Sequence, residues 1–170
     1  MKKNLMMIGL AALVLQAGPA LAKDKKEDAA ATVAALPKPA PGKGQVVIFR
    51  PSAMGFAIKC TVRDEGAMVG RVGAGKYYVI EVEPGLHNFT AKTEKTDTVA
   101  VQVEPDETSY VKCGISMGLM VGRPNLSPST EEEFQKSAGK MSAMDSAKIA
   151  KEIEEDRAEL AAKATKGGSN

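Results

Sequence analysis

The sequence predicts a mainly β protein: an antiparallel β-sandwich of about seven strands, with an N-terminal leader, a Pro/Ala linker and a C-terminal helix. A small barrel would meet the same pattern. Three observations predict it. Between residues 44 and 122, apolar residues recur at every second position in short runs, the period of strands half-buried on a core. Gly, Pro and Asp punctuate the runs at turn spacing, and no helical segment intervenes as a parallel βαβ sheet would require. Outside that stretch the composition changes, to Ala, Lys and Pro before it and to Ala, Glu and Lys after it. The chain therefore divides into a leader at 1–22, a disordered linker at 23–43, the sandwich at 44–138, and a C-terminal helix and tail at 139–170.

In the leader, Lys2 and Lys3 precede an apolar run over 5–15, and Ala20-Leu21-Ala22 supplies a small-residue cleavage site. This is the pattern of a secretory signal peptide. The run is too short to remain in a bilayer, and no cysteine near the cut offers a lipid anchor. The mature chain is expected to start at Lys23 in an oxidising compartment, the periplasm. The linker has too little apolar area to offset its ordering entropy, and Pro37, Pro39 and Pro41 keep it extended.

The strands follow in order. Residues 46–49 form an apolar run that stops at Arg50-Pro51, because proline cannot donate to a ladder. Over 57–63, Ile58, Cys60 and Val62 alternate with Lys59, Thr61 and Arg63. Asp64-Glu65-Gly66 turns the chain into 67–72, and Gly73-Ala74-Gly75 turns it into 76–83, where Tyr78, Ile80 and Val82 share one face. Pro84-Gly85 carries the chemistry of a type II turn, with glycine at positive φ. Residues 86–92, 99–103 and 109–115 complete the set, and 116–126 is a candidate eighth edge strand. Ser127-Pro128 with Ser129 and Glu132 reads as the start of a short helix, which Phe134 fastens to the sandwich. A second helix is predicted over 142–166, with Ile149, Ile153 and Leu160 on a stripe too thin to build a core. We read that stripe as partner-binding.

Loss of two lysines with the leader brings the 23 basic residues level with the 21 acidic ones. A neutral chain has no counterion-release footprint, so neither nucleic acid nor an anionic membrane surface is expected as a general partner. Aromatic content of 4% without tryptophan argues against a sugar-stacking platform. The segment from Gly70 to Lys76 has the glycine and lysine spacing of a phosphate-binding loop. It lacks the following helix, and Tyr77 stands where a Ser or Thr would hold Mg²⁺, so it reads as a glycine turn.

Cys60 and Cys113 lie on the apolar phase of their strands and are expected to form a disulfide. The lone His87 shares phase with Phe89 and Ala91 and reads as a hydrogen-bonded core histidine. A metal site of Cys60, His87 and Cys113 would have to gather ligands from three strands, and Met117 with Met120 could offer thioethers to copper but are expected to pack under the sheet edge. Glu81 and Glu83 read as a solvated face, not a glycosidase pair. We therefore assign no catalytic residue, no metal and no cofactor.

The segments VVIFRP at 46–51, GKYYVIEVEPGLHNF at 75–89 and SYVKC at 109–113 together resemble the bacterial family catalogued as domain of unknown function 2846, and the PGLHNFTA turn is similar to PEGA-type β-domains. The resemblance covers about residues 44–136 and implies a secreted or envelope-associated β-sandwich without established catalytic residues. The expected function is a periplasmic, non-enzymatic module that binds an envelope protein or cell-wall component. The alternative is a thiol redox or metal-binding protein using Cys60, Cys113 and His87.

Overall fold

The computed structural model describes residues 36–93, 95–118 and 122–167. The predicted leader, the linker up to residue 35 and the last three residues lie outside these. The described chain is mainly β, with strands β1 (Gly44–Arg50), β2 (Cys60–Asp64), β3 (Ala67–Val72), β4 (Lys76–Val82), β5 (Gly85–Lys92), β6 (Thr96–Val103), β7 (Thr108–Ser116), β8 (Arg123–Ser129) and β9 (Ser142–Ala143), and helices α1 (Glu131–Ala138) and α2 (Ser146–Gly167). The strands form two facing sheets, ordered β8-β7-β1-β4-β9 and β3-β2-β5-β6.

The expected sandwich is thus present, with two more strands than the alternation signalled and two parallel pairings that hairpin spacing did not. β1 runs antiparallel to β4 but parallel to β7, with Gln45 opposite Thr108 and Phe49 opposite Lys112. β9 runs parallel to β4. The consecutive strands β2 and β3, and likewise β5 and β6, pair as antiparallel neighbours within the four-stranded sheet. The turns at 73–75 and 83–84 instead carry the chain from one sheet to the other. Gly85 has φ +145, where a side chain would be strained, although the segment is a corner between sheets and not a hairpin. Gly70 (φ +156) is required for a second reason: a Cβ there would lie 2.5 Å from the ring of Tyr78.

β1 is buried along its whole length. Its inward residues Val46 and Ile48 join Cys60, Val62, Tyr78, Phe89, Val111 and Cys113 between the sheets. Its outward residues Val47 and Phe49 join Tyr77, Tyr110 and Phe134 in a second cluster, under α1. A central strand covered on both faces needs an uninterrupted apolar run, which Val46-Val47-Ile48-Phe49 supplies.

Both helix starts shift from their expected places. Ser127-Pro128 belongs to β8, where Pro128 lies opposite Val111. β8 is a sheet edge, and an edge tolerates the missing proline N–H. The cap is Thr130, whose hydroxyl accepts from the Glu133 N–H at 3.3 Å. Residues 142–143 are taken by the pairing with β4, so α2 begins at Ser146, after Asp145 accepts from the Lys148 N–H at 2.9 Å. Residues 36–43, counted with the linker on composition, lie against the sandwich. The Pro37 carbonyl accepts from Gln45, and the Ala40 and Gly42 N–H groups donate to Glu81 and Asp106.

Candidate functional site

Cys60 on β2 and Cys113 on β7 are joined by a disulfide that staples one sheet to the other. Both are fully buried. Closing a loop with a sequence separation of 53 stabilises the fold by about 4 kcal/mol in the chain-entropy model.

His87 sits at the rim of the core. Its Nδ1 is 2.6 Å from Asp64 Oδ2, its Nε2 is 2.8 Å from the Glu83 carbonyl, and its ring stacks on Phe89. Both ring nitrogens therefore face acceptors, an arrangement satisfied only by the doubly protonated imidazolium. Desolvation lowers the pKa of His87, but the Glu83 carbonyl and the Asp64 carboxylate outweigh it, so the net shift is upward. The structure does not bring His87 and the cysteines together as a site: the sulfurs bond each other, and the imidazole ties β5 to the end of β2.

The predicted stripe on α2 divides. Ile149 is buried in the inter-sheet core and Ile153 packs against it, while Leu160 remains 46% exposed. Ile149 is thus turned into the core and Ile153 is half-buried beside Leu160, because α2 lies along β3. Charge reinforces this docking. Arg63 on β2 makes a two-pronged contact with Asp156, and Lys59 is 3.4 Å from Glu152. The Arg63 hydrogen bonds hold the Asp156 carboxyl below its ordinary pKa. Beneath the helix, burial and then the nearby Glu152 push the Tyr78 phenol up, and neither the Tyr78 hydroxyl nor Glu152 Oε2 has a hydrogen-bond partner among the described residues. Beyond this anchored part, every residue from 157 to 166 is exposed.

One element had no signal in the sequence. Arg50 is fully buried, and its guanidinium donates to the Met54, Gly55 and Ile58 carbonyls, while its Nε has no hydrogen-bond partner among the described residues. It thereby fixes the loop over 51–59, which holds Met54 and Phe56 outward at 62% and 80% exposure. Desolvation lowers the Arg50 pKa. Met117 is 87% exposed and does not pack under the edge as expected. Met120 lies outside the described residues. Glu81 and Glu83, read as a solvated pair, hold the incoming segment through Ala40 and Lys43.

Two clefts flank this scaffold. One, of about 740 Å³, lies between residues 36–39 and α1 and carries Asp106, Glu107 and Glu131 beside Tyr110. The other, of about 580 Å³, lies between the glycine turn, the 51–59 loop and the start of α2. Among the described residues no group of three or more His, Cys, Asp or Glu side chains is placed to hold a metal ion. No described helix is long and apolar enough to cross a membrane.

No family model and no solved structure matches this chain. It is similar to an uncharacterized protein of Haemophilus influenzae, 23% identical over 104 residues. The match takes in 61% of this chain and 62% of the relative's length.

Proposed function

We propose that the protein is a secreted, periplasmic, non-enzymatic binding or scaffolding module of the cell envelope, presenting the outer half of α2 to an envelope protein. The observation that carries this reading is the division of α2: its first half is anchored by Ile149, Ile153 and Asp156, and residues 157–166 stand exposed with Leu160 among them. A rigid, disulfide-stapled platform with a projecting helical arm suits helix-in-groove recognition, in which a few apolar anchors carry the contact. The disulfide accords with an oxidising compartment, as does the signal-peptide pattern of residues 1–22. The resemblance to the family of unknown function 2846 points the same way. A redox or metal role for Cys60, Cys113 and His87 would first have to break a buried disulfide and two hydrogen bonds.

The test is photo-crosslinking in the native envelope, with a reactive residue at position 160 and a control at the exposed Lys92. A defined adduct is expected from position 160 alone. Leu160→Gln should abolish capture of the wild-type adduct's partner while changing stability by less than about 0.5 kcal/mol, as for an exposed site. Identical adducts from both positions, or none, would contradict the assignment.

A further inference from the structure

The net neutrality of the chain is an average, and it conceals one local excess of positive charge. The cleft of about 580 Å³ is lined by four cations, Lys59, Arg71, Lys76 and Lys148, against two carboxylates, Asp145 and Glu152. It therefore holds two positive charges in excess. These cations are brought together from the end of the 51–59 loop, β3, β4 and α2, with Gly73 and Ala74 of the glycine turn in the wall.

The hydrogen bonding shows which of these charges are neutralised. Lys59 lies beside Glu152, and Asp145 is engaged in capping α2. Lys76 donates to the neutral Ser142 hydroxyl at 2.6 Å. Arg71 uses only Nε, on Thr61 at 3.0 Å, and although its charge also acts on Asp156 at a longer range, both terminal guanidinium nitrogens are without a hydrogen-bond partner among the described residues. Lys148 is likewise without an ion pair, whereas Lys151, Arg157 and Lys163 each sit opposite a glutamate of the same helix. The rim carries a second, independent feature. Phe56 lines the cleft yet is 80% exposed, on a loop fixed by the buried Arg50 guanidinium.

We propose that this cleft binds a dianionic phosphate monoester. Arg71 presents its planar fork to two phosphate oxygens, Lys148 and Lys76 neutralise the remaining charge, and Phe56 covers the uncharged part of the ligand. A carboxylate would match only half of the excess charge. A triphosphate with Mg²⁺ does not suit the site, since Tyr77 follows Lys76 and the chain continues as β4 instead of a helix. The same headgroup chemistry occurs on a free ester and on a phosphatidic-acid surface, and the experiment separates the two. The site is remote from the outer half of α2, so it stands or falls independently of the function proposed above.

The probes are glycerol 3-phosphate, followed by calorimetry, and phosphatidylcholine vesicles with and without phosphatidic acid, followed by co-sedimentation. Wild-type protein is expected to bind at least one phosphate-monoester probe and to ignore pure phosphatidylcholine. Arg71→Gln with Lys148→Gln should weaken that binding at least tenfold, with thermal unfolding confirming that the variant is folded. Lys136→Gln with Lys151→Gln, which removes the same charge outside the cleft, should weaken it less than twofold. Binding of glycerol 3-phosphate alone assigns a free ester, and binding that requires the vesicle and falls with Phe56→Ser assigns the lipid. Binding of neither probe, or equal loss in the two double variants, would overturn the proposal.

Discussion

α1 has eight residues and one side chain, Phe134, that is almost wholly buried, whereas α2 has 22 residues and places only Ile149 in the core, at its margin. Phe134 meets Phe49 and Tyr77 edge-on at 5.3 and 5.2 Å and lies tilted against Tyr110, so a helix of barely two turns is held mainly by one aromatic anchor, with Glu133 reaching Lys112 and Ser129 beside it. α2 instead distributes its attachment over two isoleucines and the Arg63–Asp156 contact, and its residues 157–166 are exposed. Helix length therefore says little about anchorage here. The short helix completes a core, while the long one closes an edge and then extends past it.

The largest effect expected from this contrast is at Phe134. Phe134→Ala should cost about 3 kcal/mol, at the lower end for a buried phenylalanine, and should appear in a global denaturant transition because it opens the outer cluster on β1. Loss confined to α1 amide protection, with an unchanged midpoint, would show that α1 is an appendage like the outer half of α2.

Ile149→Ala should cost less, about 2 kcal/mol, and should do so unevenly. Hydrogen exchange is expected to loosen α2 before the sandwich responds. Unchanged protection in α2 would mean that the ion pairs, and not the isoleucines, hold the helix.

The smallest effect is electrostatic. Hydrogen bonds from Arg63 to Asp156, and from Lys112 and Ser129 to Glu133, hold these carboxyls below their ordinary values of 3.8 and 4.5. Each contributes stability that is fully present above its unfolded pKa and is lost as pH falls through the lower folded one. His87 has the opposite sign, with stability present below its ordinary 6.5 and lost as pH rises through the raised folded value. A pH series of urea midpoints should therefore show a shallow acid limb below about pH 4, which Asp156→Asn reduces, and an alkaline limb that His87→Gln removes. A profile that Asp156→Asn leaves unaltered would assign the docking of α2 to apolar burial alone.

The strands were legible because alternation reports a property of each strand by itself. Tyr78, Ile80 and Val82 turned inward as their phase required, and so did Cys60 and Cys113. Pairing was less legible, since Gly73-Ala74-Gly75 and Pro84-Gly85 specify a change of direction and not whether the next strand joins the same sheet. Helix starts were obscured by competing roles: Pro128 could occupy a helix or a sheet edge, and Ser142 could begin a helix or pair with Lys76. The cationic cleft was the least legible feature. Lys59, Arg71, Lys76 and Lys148 are spread over 90 residues of sequence, and only the docking of α2 brings Lys148 to the other three.

The parallel pairing of β1 and β7 also has a kinetic side. Among the described strands β1 is the first to leave the ribosome, yet its neighbours lie over 76–82 and 108–112. Until those segments arrive, Val46-Val47-Ile48-Phe49 is an apolar strand with both edges open, the kind of segment that stacks on copies of itself. Closing it onto β7 spans roughly 60 residues of chain, a separation that slows folding. The nascent protein should thus pass through a long interval in which its most buried strand is its most exposed, and a holding chaperone that masks residues 46–49 would shape its yield.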